Sequence, residues 1–181
     1  MSHIKVFNEN DPNTPLHDTS DQAKIAEVLK TIDVRFEQWE AEQDVQPGAS
    51  QEEVIKAYQK DIDRLVAENG YVTVDVISLK PDNPQKGEFR KKFLEEHTHS
   101  EDEVRFFVGG AGMFTMHTQG KVFEVLCTKG DLISVPAGTR HWFDMGPNPN
   151  FIAIRLFNDP AGWVANFTGE PIAQSFTRLE N

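Results

Sequence analysis

The sequence predicts an α+β domain that is mainly β: an antiparallel β-barrel with N-terminal helices packed outside it. Three observations carry this. The chain has 181 residues, a length that suits one domain with a real hydrophobic core. Apolar residues recur at helical spacing up to Gly70 and at a period of two beyond it. After Gly70, short alternating runs are separated by Gly- and Pro-containing turns, as in antiparallel barrels and sandwiches. The expected organisation is a single domain over 1–181, with a helical layer to about residue 70, a barrel over about 71–168 and a tail over 169–181.

The elements follow in order. Residues 19–42 read as a helix: Thr19, Ser20 and Asp21 offer capping oxygens, and Ile25, Val28, Leu29, Ile32, Phe36 and Trp39 recur every three or four positions. Gln43 to Ala49, with Pro47-Gly48, is a loop. Ser50-Gln51-Glu52-Glu53 is a capping box that opens a second helix, and Asn69-Gly70 ends it. Tyr71 to Leu79 alternates as a strand, and Asp82 to Gly87 is a loop. Further strands are expected at Glu103–Val108, Met113–His117, Lys121–Cys127, Asp131–Val135, Arg140–Asp144 and Phe151–Phe157. Gly109-Gly110, Gln119-Gly120, Lys129-Gly130, Ala137-Gly138 and Pro147 to Asn150 supply the turns.

Composition excludes several functions. With 18 Lys+Arg against 29 Asp+Glu the formal net charge is −11, so a nucleic-acid partner is not expected. The sequence has neither a cationic amphipathic stretch nor a long apolar run, so no membrane partner is expected. The single cysteine, Cys127, rules out an internal disulfide and a Cys-rich zinc site, and it fits a reducing compartment. Met1 to Asn13 is polar and lacks the apolar core of a secretory signal. The expectation is a soluble cytoplasmic protein, with the negative charge favouring a monomer.

Chemistry concentrates in two segments. His97 and His99 flank Thr98, and Glu103 follows four residues after His99. On a strand both imidazoles point to one face and can reach one metal ion. The competing reading is a pair of solvated histidines in an acidic loop, whose carboxylates would raise the imidazole pKa and oppose metal binding. The second segment runs from Gly130 through Pro136-Ala137-Gly138 to His141, a strand and tight turn that aim a third imidazole back into the barrel. Three imidazoles and one carboxylate suit iron, nickel, manganese or zinc.

Together, His97, His99, Glu103 and Gly110, then Gly130, Pro136, Gly138 and His141, resemble the two motifs of the cupin superfamily. The usual upstream glycine is displaced to Gly87, and Met145 stands where an Asn often ends the second motif. Within the cupins, Glu95 to His99, Glu103 to Phe106, Val135 to Asp144, Ile154 to Phe157 and Trp163 resemble the acireductone dioxygenase family of methionine salvage. The resemblance implies a jelly-roll barrel holding one Fe(II) or Ni(II) per chain on His97, His99, Glu103 and His141. It implies cleavage of the acireductone 1,2-dihydroxy-3-keto-5-methylthiopentene by O2. The iron form would give formate and 2-keto-4-methylthiobutyrate, and the nickel form carbon monoxide, formate and 3-methylthiopropionate.

Arg105 lies two residues from Glu103, on the same strand face, and is a candidate catalytic residue that would hold the substrate anion. Its bland alternative is a salt bridge on a polar rim. Arg155 interrupts an apolar strand, and an inward guanidinium there needs a partner, so it is the second catalytic candidate. Phe93, Phe143 and Trp163 are candidates for the apolar pocket, although core packing is the commoner use of an aromatic residue. His117 reads as structural or exposed, His3 and His17 as solvated, Glu95-Glu96 and Glu101-Asp102 as a solvated rim, and Cys127 as a buried small hydrophobe. The alternatives are another metallocupin, such as a different dioxygenase or an isomerase, and a cupin that only binds a ligand.

Overall fold

Strand pairing begins well before residue 70. The computed structural model describes residues 1–161 and 163–181. Ile4 and Val6 alternate into the interior along β1 (His3–Asn8). That strand forms a hairpin with β2 (Asp11–Thr19) and pairs on its other side with a strand over Lys121–Thr128. β2 carries Pro12 and Pro15 and lies at a sheet edge, where a missing N–H costs no ladder hydrogen bond.

The helix expected over 19–42 is shorter. α1 (Gln22–Lys30) starts at Asp21, whose carboxylate accepts from Lys24 N at 3.1 Å. It ends at Thr31, and Asp33 takes a left-handed conformation with φ 60°. The chain reverses there into β3 (Arg35–Gln38), so Phe36 is buried from a strand. The β-branched Ile32 and Val34 around a turn-forming Asp favour this break.

The second helix is capped as expected, with Glu53 N donating to the Ser50 hydroxyl at 3.2 Å and Gly70 closing it at φ 68°. It is divided at Tyr58 into α2 (Gln51–Ala57) and α3 (Gln59–Asn69). β4 (Thr73–Leu79) follows, and the loop expected over 82–87 gives way at Lys86 to α4 (Lys86–Leu94). The remaining elements are β5 (His97–Thr98), β6 (Glu103–Thr118), β7 (Lys121–Thr128), β8 (Asp131–Val135), β9 (Arg140–Asp144), β10 (Asn150–Phe157) and β11 (Asn166–Phe167), then a 3-10 turn over Ile172–Ser175.

β6 organises the architecture. Gly109-Gly110, read from sequence as a turn between two strands, is instead a bend within this single 16-residue strand. Its first half pairs with β8 and β10, and its second half with β7 and β9. One layer is therefore β4-β10-β6-β8-β3, and the other is β2-β1-β7-β6-β9-β5-β11. The result is an antiparallel, jelly-roll-like fold whose sheet is not fully closed. Gly110 has φ 65°, and a Cβ there would lie 1.8 Å from the Asn150 carbonyl oxygen. No other residue fits this bend.

The space between the layers holds the main core, with Phe107, Phe114, Met116, Phe143 and Phe151, closed at one side by Ile25 and Leu29 of α1. A second core lies outside the first layer. There Phe106, Leu132, Ile152 and Ile154 meet Val54, Tyr58, Ile62 and Leu65 of α2 and α3. These helices pack outside the β-structure, as expected. On the other outer face, Phe7, Val122 and Trp142 are covered by Ala173 and Phe176 of the C-terminal segment.

Candidate metal centre

Register alone brings the two motif segments together. His97 on β5 is the direct antiparallel partner of His141 on β9, so their side chains share the inner face. The Pro136-Ala137-Gly138 turn docks on the first motif: Gly138 N donates to the His99 carbonyl at 2.9 Å, and Ala137 N to Asp102 Oδ1 at 2.8 Å. Gly138 makes this turn at φ 77°. The imidazole centroids are 4.4 Å apart for His97 and His141, 5.2 Å for His97 and His99, and 4.9 Å for His99 and His141. One nitrogen from each of the three lies within 4.8 Å of the others. Glu103, at the start of β6, places Oε2 3.0 Å from His99 Nε2 and 3.9 Å from His141 Nε2. All four side chains are buried.

The hydrogen bonds fix which nitrogens face inward. Nδ1 of His97 donates to the Glu95 carbonyl at 2.7 Å, Nδ1 of His99 to the Val164 carbonyl at 2.6 Å, and Nδ1 of His141 to the Thr139 carbonyl at 2.8 Å. A carbonyl only accepts, so each Nδ1 carries the proton and each neutral ring turns the Nε2 lone pair toward the centre. All three Nε2 atoms and Glu103 Oε2 are buried without a hydrogen-bond partner. Four lone-pair atoms facing one another in a dry site repel unless a cation lies among them.

Protonation favours the same use. Burial, reinforced by neighbouring positive groups, pushes His97 down to about 4 and His141 down to about 3. The acidic loop therefore does not raise His97 as the competing sequence reading required, because that ring is buried and points inward. For Glu103, burial opposes ionisation, but Arg105 and the neighbouring histidines outweigh it and hold the carboxyl well below its ordinary range. Imidazoles kept neutral beside an ionised carboxylate form a donor set suited to a divalent transition metal.

Arg105 and Arg155 are cross-strand partners on β6 and β10, with Asp75 next in the same row on β4. Arg105 is buried, so the polar-rim alternative does not hold: its Nε donates to Glu103 Oε1 at 2.6 Å, and its guanidinium lies 4.7 Å from the Phe143 ring. Arg155, also inward, forms a two-pronged pair with Asp75 at 2.8 and 2.6 Å. Burial lowers its pKa from the ordinary arginine value against the opposing effect of Asp75. Nη2 of Arg105 and Nη1 of Arg155 remain buried donors with no acceptor.

Phe93 and Phe143 pack edge to face at 6.4 Å, and Phe93 meets Trp163 at 5.3 Å. Trp163 also lies 5.7 Å from His97 and 5.8 Å from His99. The structure thus groups all three pocket candidates beside the histidines, with Phe93 and Phe143 deep in the core. His117 is structural: its two nitrogens meet Glu96 at 2.7 Å and Glu9 at 2.8 Å. Glu96, read from sequence as solvated, is buried there, with Thr168 donating to its other oxygen at 2.8 Å. Asp75 and the Val164 carbonyl were missed by the sequence reading. Asp75 had a signal, an acid in a strand antiparallel to the one that bears a buried Arg.

An antiparallel jelly-roll-like fold that gathers three histidines on its inner face, with a carboxylate beside them, defines a candidate metal centre of cupin type. The family model described as ARD/ARD′ matches residues 3–165, and the chain belongs to that family, the acireductone dioxygenases. It is 62% identical over 178 residues to an acireductone dioxygenase of Alcanivorax borkumensis, covering 98% of each chain. It is 61% identical over 181 residues to one of Pseudomonas savastanoi pv. phaseolicola, covering 100% of each. Among solved structures it is similar to the acireductone dioxygenase of Bacillus anthracis with a cadmium ion in its active centre, with TM-score 0.78 and 31% identity over 92% of this chain and 98% of that one.

Proposed function

We propose that the chain binds one Fe(II) or Ni(II) through His97, His99, Glu103 and His141 and cleaves 1,2-dihydroxy-3-keto-5-methylthiopentene with O2 in methionine salvage. The iron form would release formate and 2-keto-4-methylthiobutyrate, and the nickel form carbon monoxide, formate and 3-methylthiopropionate. The observation that carries the reading is the convergence of three Nε2 lone pairs and Glu103 Oε2, all buried and without donors. The metal, when bound, supplies Lewis acidity toward an electron-rich enediolate and a template for the two reactants.

The protein's own groups supply the rest. The three backbone carbonyls at Glu95, Thr139 and Val164 fix the imidazole tautomers and orientations. The unpartnered N–H groups of Arg105 and Arg155 offer hydrogen bonds to substrate oxygens as negative charge develops. Glu103 and Asp75 hold those guanidiniums in place, so little reorganisation accompanies binding. Phe93, Phe143 and Trp163 form the inner apolar wall and exclude water. The test is oxygen uptake and formate release on adding freshly generated acireductone to metal-loaded protein. Absence of uptake with both the Fe(II) and the Ni(II) form refutes the proposal.

A further inference from the structure

Of the pocket candidates read from sequence, only Trp163 is not fully buried, so one side of the pocket still lacks a wall. Phe93 and Phe143 are only 4% and 1% exposed, and their faces are occupied by each other and by Phe151 at 5.3 Å from Phe143. Uncovered apolar surface near the centre lies elsewhere. β11 pairs with β5 so that Phe167 stands opposite His97, which in turn stands opposite His141. Directly paired residues share a face, so His141, His97 and Phe167 form one row leading from the centre to the sheet edge. The Phe167 ring lies 5.8 Å from the His97 ring and is 49% exposed. Val164, in the same segment, is 42% exposed while its carbonyl holds His99. Five large apolar side chains are exposed among the described residues, and two of them are this pair.

We infer that Phe167, with Val164 beside it, is the outer wall of the substrate pocket and selects for an apolar tail of thioether or alkyl chemistry on the acireductone. The inference rests on the activity proposed above. An exposed aromatic edge beside a polar centre gives a thiomethyl group both apolar contact and a sulfur–ring contact. A ligand without that tail gains nothing from it. Phe167 touches no reacting atom here; its role is specificity.

The test compares two acireductones, one with the methylthioethyl tail and one cut back to methyl, on Fe(II)-loaded wild type, Phe167→Ala and Phe167→Leu. The expected result is a ratio of kcat/KM between the two substrates that falls about tenfold in Phe167→Ala and recovers in Phe167→Leu. Isothermal titration with 2-keto-4-methylthiobutyrate against pyruvate should show the same loss of preference in binding. If Phe167→Ala fails to retain metal, Phe167→Gln, which keeps bulk and loses apolarity, takes its place with the same expectation. A preference within twofold of wild type in an active variant overturns the inference alone. Wild type that consumes no O2 with either substrate overturns the proposed activity beneath it.

Discussion

Replacing Asp75 with Asn leaves the Arg155 guanidinium without its counter-charge. Arg155 is 4% exposed and receives two short contacts from Asp75, at 2.8 and 2.6 Å. Breaking a fully buried pair by removing one partner costs about 3–5 kcal/mol. The Asp75 side chain keeps 27% of its exposure, so water relieves part of the strain and the expected cost is about 2–3 kcal/mol. In a chain of this size each kcal/mol moves Tm by about 2–4 °C, so Asp75→Asn should melt roughly 5–10 °C lower by calorimetry. The same change frees Arg155 from the row that aims Nη1, so kcat/KM should fall about a hundredfold, as misplacement of about 1 Å typically does. Adding Arg155→Met to Asp75→Asn removes the stranded charge and should restore part of the lost stability while activity stays low. A Tm within about 1 °C of wild type for Asp75→Asn would refute the argument that the pair is energetically coupled.

Three further outcomes follow from the same geometry. His141→Ala removes one of four converging donors, and the protein should lose most of its metal on dialysis, read by elemental analysis; retention near wild type would mean that the ligands are others. Metal-free protein should lose stability as pH falls from about 6.5, the ordinary imidazole value, toward the values of about 4 and 3 held by His97 and His141. In that window the unfolded chain binds protons that the folded chain refuses, so stability rises with pH by up to about 1.4 kcal/mol per unit per histidine, and urea midpoints that do not vary between pH 4 and 7 would contradict it. Gly110→Ala forces a Cβ to within 1.8 Å of the Asn150 oxygen at φ 65° and should cost about 3 kcal/mol or more, visible as an early thermal transition or insoluble expression.

Most strands after Gly70 were legible because one or both of their faces are buried, which stamps alternation or an apolar run on the sequence; the two-residue β5 and β11 are too short to leave such a mark. The three candidate histidines were legible because close spacing ties His99 to His97 and a Pro-Gly turn returns His141 to them. Gly109-Gly110 misled because glycine marks a turn and a bend alike, and only the Asn150 backbone across the gap distinguishes them. β2 was hidden because its residues face solvent at an edge and carry two prolines. The early end of α1 was hidden because Ile32 and Phe36 bury themselves from a turn and a strand at positions a helix would also have buried. Glu96 looked solvated because its partners, His117 and Thr168, are far away in sequence.

The two buried acid–arginine pairs have an electrical consequence. Glu103 with Arg105 and Asp75 with Arg155 cancel, and burial keeps His97 and His141 neutral. The cavity is therefore close to uncharged by itself, inside a chain of net charge −11. A doubly negative enediolate finds there only the free N–H groups of Arg105 and Arg155 until a divalent cation is present, and the two then neutralise each other. Substrate capture thus leans on metal: the metal-free chain should hold its substrate far more weakly, and order of binding is written into the charge of the site.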